Sequence, residues 1–180
     1  MAHQDASMPR SPVIPLDQLV LDRYTHGPHF EAAQAAFAAT AGATHLGARL
    51  IEVPPGKRAW PHHAHHANDE LFVILAGSGE LRWGEDRYPV TSGDVVVCPA
   101  GGEENAHQLI AATDSPVPLR YLAVSSMREP DVVEYPDSGK LGVFSGSAPG
   151  GDADRRRLTA YVRRNDTLDY WEGETGDDTP

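Results

Sequence analysis

From Thr44 to Ser125 the sequence is interrupted at short intervals by glycine, proline and small polar residues, and its longest apolar run, Leu71 to Ala76, is six residues. Leu46 to Val53 ends at Pro54-Pro55-Gly56, Glu70 to Ala76 at Gly77-Ser78-Gly79, Glu80 to Trp83 at Gly84-Glu85-Asp86, and Arg87 to Val90 at Thr91-Ser92-Gly93-Asp94. Val95 to Cys98 closes on Pro99-Ala100-Gly101-Gly102, and His107 to Ala112 and Leu119 to Ser125 follow. Seven or more short segments with frequent turn residues fit an antiparallel sandwich or barrel, and fit an α/β arrangement poorly.

The flanks read differently. Glu31 to Ala41 has seven alanines in eleven residues, and alanine costs least in a helix. The same stretch can be recruited as an edge strand where pairing with a sheet overrides propensity. Met1 to Pro12 is expected to be a mobile arm, Gly146 to Asp154 a loop, Arg157 to Arg163 a last strand, and Glu172 to Pro180 a solvated acidic tail. The expected organisation is therefore an amino-terminal arm with a possible edge strand or helix over 1–43, a barrel over 44–126, and an extension packed on the barrel over 127–180.

Composition narrows the class of partner. Fifteen Lys and Arg stand against 26 Asp and Glu, a formal charge of −11, and phosphate-backbone binding relies on a cationic surface, so nucleic acid is not expected. A membrane helix needs about 20 apolar residues, which the chain lacks. A single cysteine, Cys98, excludes an internal disulfide, and residues 1–15 lack the apolar stretch of a signal peptide, so a cytoplasmic location is expected. Cys98, at the end of an apolar strand, reads as a buried thiol and not a nucleophile.

The informative segment is His62-His63-Ala64-His65-His66, just before Asp69-Glu70. On a strand His63 and His65 project to one side, and His62 and His66 do not join them. A hairpin returning Glu70 toward the same face would complete a two-histidine, one-carboxylate set with open positions on a first-row metal. His107, the first residue of an expected strand, is the best candidate for a fourth ligand. By the same two-residue period, Phe72 and Ile74 share the face of Glu70 and would give the metal an apolar pocket.

These residues resemble the cupin superfamily. Its first motif is matched by Gly56, His63-Ala64-His65, Glu70 and Gly77, and its second by Gly93, Pro99-Ala100-Gly101 and His107, over roughly residues 45 to 125. The resemblance implies an all-β fold, the antiparallel double-stranded β-helix or jelly-roll barrel, with short extra elements at both ends. It also implies one divalent metal ion (Fe, Mn, Ni or Zn) held by His63, His65, Glu70 and His107, and a homodimer, with Phe30 to Ala39 as the strand that would extend a sheet across the two-fold axis. Wider phrases such as Pro54 to Pro61 and Tyr135 to Lys140 resemble small bacterial cupins without an assigned reaction. The spacing departs from the motifs in an extra residue between Gly56 and His63, a longer gap between Gly101 and His107, and Ala111 where an asparagine is common.

Trp60, Phe72, Ile74, Trp83, Gln108 and Tyr121 are the candidate wall of a substrate pocket. Arg58 and Arg120 are further polar candidates, and Arg155-Arg156-Arg157 reads as a solvated turn. His62 and His66 are expected to be solvated or to orient the ligands. The expected function is a metal-dependent reaction on a small, acidic or hydroxylated organic molecule, either dioxygenase-type oxidation or Lewis-acid isomerisation. The alternative is a non-catalytic module that binds a sugar or organic acid.

Overall fold

The structure, a computed structural model, describes residues 12–176. The expected arm therefore lies, apart from Pro12, outside the described residues, as do the last four residues of the tail. Thirteen strands occur in order among the described residues: β1 Asp22–His26, β2 Phe30–Ala36, β3 Leu46–Val53, β4 Ala64–His65, β5 Glu70–Ala76, β6 Ser78–Trp83, β7 Asp86–Thr91, β8 Val95–Cys98, β9 His107–Ala111, β10 Leu119–Ser126, β11 Asp131–Tyr135, β12 Lys140–Ser145 and β13 Leu158–Arg163. The strands form a six-stranded sheet in the order β1-β2-β3-β10-β5-β8, a four-stranded sheet β13-β12-β11-β4, and a three-stranded sheet β7-β6-β9. All strand pairs are antiparallel. This is the jelly-roll barrel that the family resemblance implies, within the sandwich-or-barrel class read from the turn spacing. No helix among the described residues is long and apolar enough to cross a membrane.

The segments delimited by Gly and Pro form strands within a residue or two of their expected ends. The alanine-rich segment is a strand and not a helix, and it does not form an edge. β2 is hydrogen-bonded to β1 on one side and β3 on the other, and Ala32 and Ala33 are buried. Backbone pairing with two neighbours outweighs a helix propensity worth only tenths of a kcal/mol per residue. β1 and the three strands around β4, which are β11, β12 and β13, complete the molecule, so residues 127–180 supply three of the four strands in the sheet that contains β4.

The inward face of the six-stranded sheet is graded along its strands. One row across it is Ile51, Tyr121 and Ile74, all essentially inaccessible and part of the apolar core with Val53, Phe72, Leu81, Leu109 and Leu119. The next row holds Arg49, Ala123 and Phe72, and the row after it Gly47, Ser125, Glu70 and Cys98. Large apolar side chains fill one end of the barrel, while small ones at 47, 123 and 125 leave the other end open beside Glu70.

Gly77, between β5 and β6, has φ +76°, and a Cβ there would sit 2.5 Å from the Pro118 carbonyl oxygen. Backbone cannot give way as a side-chain tip can. Gly77→Ala is therefore expected to cost at least about 2 kcal/mol, lowering the urea midpoint at unchanged slope. Gly139→Ala, where φ is +59° but a Cβ meets nothing within 4 Å, should cost only about 1 kcal/mol.

Candidate metal centre

β4 is two residues long, yet it fixes the histidine segment on both sides. Ala64 and His65 pair with Glu134 and Val133 of β11, while His63 forms an isolated antiparallel bridge with His107 at the start of β9. The bridge is made by two backbone bonds, His63 N–H to the His107 carbonyl at 3.2 Å and His107 N–H to the His63 carbonyl at 2.8 Å. Two residues 44 positions apart thus share one backbone frame. Glu70, first in β5, lies below them.

The side chains converge on one carboxylate oxygen. From Glu70 Oε2 the distances are 2.8 Å to His107 Nε2, 3.7 Å to His65 Nε2 and 3.8 Å to His63 Nε2. The atoms of His63, Glu70 and His107 all lie within 4.8 Å of one another, as a metal-binding group requires. His65 stands outside that mutually close group, although its Nε2 lies 3.7 Å from Glu70 Oε2.

The opposite ring nitrogens explain why the Nε2 atoms face inward. His63 Nδ1–H donates to the Pro61 carbonyl at 2.8 Å and His107 Nδ1–H to the Asn105 carbonyl at 3.1 Å. A carbonyl can only accept, so each Nδ1 carries the proton, and in the neutral ring Nε2 keeps its lone pair. His65 Nδ1 donates to Asp131 Oδ2 at 2.6 Å, and Asp131, fully buried, also accepts from the Ala67 N–H at 3.2 Å. With the outer nitrogens protonated, neutral rings would turn Nε2 lone pairs toward the carboxylate oxygen, and the 2.8 Å contact of His107 Nε2 with Glu70 Oε2 is then made favourable by a proton or a metal cation between the two atoms. That donor set, three imidazoles and one carboxylate with outer-side partners, fits a divalent first-row ion.

The electrostatics follow from burial and crowding. Burial, and behind it the neighbouring His107 and His65, push His63 down to about 3, so its ring holds no second proton at neutral pH. Burial alone would raise Glu70, but the hydrogen bond with His107 and the fields of His65, His107 and His63 outweigh it and hold the carboxyl well below its usual range. For His65 burial lowers the value, yet the hydrogen bond to Asp131 and the charges of Glu70 and Asp131 outweigh burial and raise it.

A cleft of about 250 Å³ opens beside this cluster. Its walls include Trp60, Phe72, His63, His65 and Glu70, together with Arg49 from β3, Tyr135 from β11, and Arg156 and Tyr161 from the carboxy-terminal segment. Gln108 and Tyr121 border a smaller niche behind it with Trp60, His63, Phe72 and His107. There Gln108 Nε2 donates to the Trp60 carbonyl at 2.6 Å. Ile74 is sealed in the core. Trp83 stacks on His107 with ring centres 6.2 Å apart and faces a separate groove that it shares with His62, Arg82 and Asp137. His62 is buried outside the cluster, whereas His66 is half exposed and its Nε2 lies 3.3 Å from Glu134 Oε2. Arg120 pairs with Glu52 at 3.1 Å and Arg58 lies over Phe30, so neither lines the cleft. Cys98 is buried, with burial and then Glu70 raising its thiol.

The sequence carried a trace of one missed wall residue. In Leu46 to Val53 the positions 47, 49, 51 and 53 share a face, and Arg49 is the charged one among them. Asp131, Tyr135, Arg156 and Tyr161 had no such trace, because β11, β13 and the segment just before β13 reach the site only by sheet pairing.

Residues 49–125 match the family described as the cupin domain. The chain carries a cupin domain. No curated protein matches its sequence. Among solved structures, the chain is similar to a candidate sugar phosphate isomerase from Acidithiobacillus ferrooxidans, with 25% identity and a TM-score of 0.67 over 84% of this chain and 90% of that one. It is also similar to a sugar phosphate isomerase of the cupin superfamily from Silicibacter pomeroyi, at 21% identity and a TM-score of 0.69 over 87% and 95% of the two chains. A protein from Thermotoga maritima named as a predicted oxalate decarboxylase shares the fold at 22% identity and a TM-score of 0.53, over 63% of this cupin and 97% of that chain.

The Asp131–His65 contact makes a checkable statement about this site. Because His65 is raised in the folded state, its contribution is fully present below the unfolded value of about 6.5 and is lost as pH rises through the raised value. Asp131→Asn is expected to move the NMR titration of His65 to lower pH and to cost more stability at about pH 6 than at about pH 9. A variant whose His65 titrates unchanged would show that the carboxylate does not hold the ring.

Proposed function

We propose that His63, His65, Glu70 and His107 hold one divalent metal ion and that this cupin is a metal-dependent isomerase of a small hydroxylated carbonyl compound. The observation that carries the reading is the convergence of three imidazole Nε2 atoms on one oxygen of Glu70, with two of the three tautomers dictated by backbone carbonyls. An ion bound there supplies Lewis-acid polarisation of a substrate oxygen.

The chain's own residues do the rest. Pro61, Asn105 and Asp131 lock the three rings so that the donors stay aimed, which is the role of outer-side partners at metal sites. Trp60, Phe72 and Tyr135 exclude water from one side of the cleft, and Tyr135 stacks against His63 with ring centres 6.1 Å apart. Burial raises the Tyr135 hydroxyl, so it remains protonated at neutral pH and serves as a donor to a substrate oxygen. Isomerisation is favoured over oxidation by the similarity, at 25% identity across most of both chains, to the protein from Acidithiobacillus ferrooxidans.

Protein purified without a metal column is expected to bind about one divalent ion per chain. With an aldose or ketose phosphate in heavy water it should interconvert the two sugars without consuming dioxygen. His107→Ala and Glu70→Ala should each lower metal affinity by more than about 100-fold, beyond the effect of an outer-side partner. Stoichiometric metal with oxygen uptake and no interconversion would replace isomerisation by oxidation. Full metal content in both variants would overturn the ligand set.

A further inference from the structure

Some arginines in this acidic chain have carboxylate partners. Among the described residues Arg82 pairs with Asp137, Arg87 with Glu80, Arg120 with Glu52, and Arg164 with Glu103 and Glu134. Arg49 and Arg156, the two arginines that line the cleft, make no ion pair among the described residues.

Each is held in place by neutral groups instead. Arg49 Nη1 donates to Gln34 Oε1 at 3.1 Å, its guanidinium lies 5.7 Å from the centre of the Trp60 ring, and its Nε is enclosed without an acceptor. Arg156 donates from Nε to the Ser147 carbonyl and from Nη2 to the Ala148 carbonyl, both at 3.1 Å, and packs 5.5 Å from the centre of the Phe144 ring. The contacts orient both planar forks and supply no countercharge of their own. Like charges facing one cleft repel, and each half-buried guanidinium has lost part of its hydration. Burial lowers the value of Arg49, Glu70 and then Tyr24 oppose it, and the charge of Arg156 adds a smaller lowering. Glu70, the nearby anion, is already surrounded by imidazoles.

We infer that Arg49 and Arg156 form a subsite for a dianionic phosphate monoester, placed across the cleft from the imidazole and carboxylate cluster. Two guanidinium charges match the two negative charges of a phosphate ester, and planar N–H forks are the donors best suited to phosphate oxygens. Gly47 and Gly150 also line the cleft and add no side chain to it. The inference rests on the reading of this cleft as the substrate site and adds which end of the substrate enters where: the phosphate at the arginines, the oxygen-bearing carbons toward Glu70.

The test uses the full chain after chelation, so that binding is read apart from turnover. Calorimetric titration with glucose 6-phosphate and with glucose is expected to give at least about 10-fold tighter binding of the phosphate ester, with inorganic phosphate competing. Arg156→Gln should weaken glucose 6-phosphate by about 10-fold or more and leave glucose unchanged, and Arg49→Gln should do the same. If Arg49→Gln fails to fold, Arg156→Gln alone decides. Equal affinity for the two sugars, or a folded Arg156→Gln that binds the ester as the wild type does, overturns the subsite. Phosphate preference in a protein that, reloaded with metal, isomerises nothing would refute the isomerase reading and leave the subsite standing.

Discussion

One oxygen of Glu70 faces three imidazole nitrogens, and the outer nitrogen of each ring is bound by a group that can only accept a proton bond. That pairing of constraints decides the tautomers and therefore the character of the site. A histidine free to flip would place an N–H toward Glu70 and satisfy the carboxylate by itself. With Pro61 and Asn105 holding the outer nitrogens of His63 and His107, the inner nitrogens are turned to Glu70 and are available as donors to a cation. The low value of His63 has the same origin: burial, and behind it two neighbouring imidazoles, make a proton there costly.

The barrel makes this geometry possible by ranking its inward residues. Ile51, Tyr121 and Ile74 pack one end as an apolar plug, so the open end keeps its shape without help from the polar groups it displays. Small residues at 47, 123 and 125 then open a cleft, and β11 closes its far side while delivering Asp131 and Tyr135 on one strand. The close backbone bridge between His63 and His107 explains how a longer gap after Gly101 is tolerated: the extra residues form the short turn at Glu103–Asn105, which leaves His107 in register.

Much of this was legible in the chain. Turn residues delimit β3, β5 and β8 to the residue, because glycine and proline act locally and their effect does not depend on distant partners. The spacing of His63, His65 and Glu70 is likewise local, and His107 follows from its place at a strand start. What was not legible depends on pairing across the fold. The alanines of β2 favour helix locally and become a strand only because β1 and β3 flank them. β4 is too short to leave a pattern, and β11 matters because it pairs with β4. Arg156 reads as a solvated turn until sheet pairing carries its segment to the cleft, where it is one of two arginines in the wall.

The central claim is that three imidazoles and one carboxylate surround a single divalent ion. X-ray absorption on untagged protein loaded with one equivalent of manganese or zinc tests it directly, since imidazoles add outer-shell scattering that oxygen ligands lack. The account predicts a first shell of nitrogen and oxygen with scattering from about three imidazoles, reduced to about two in His65→Ala. A shell of oxygen alone, or a spectrum unchanged by His65→Ala, would contradict it.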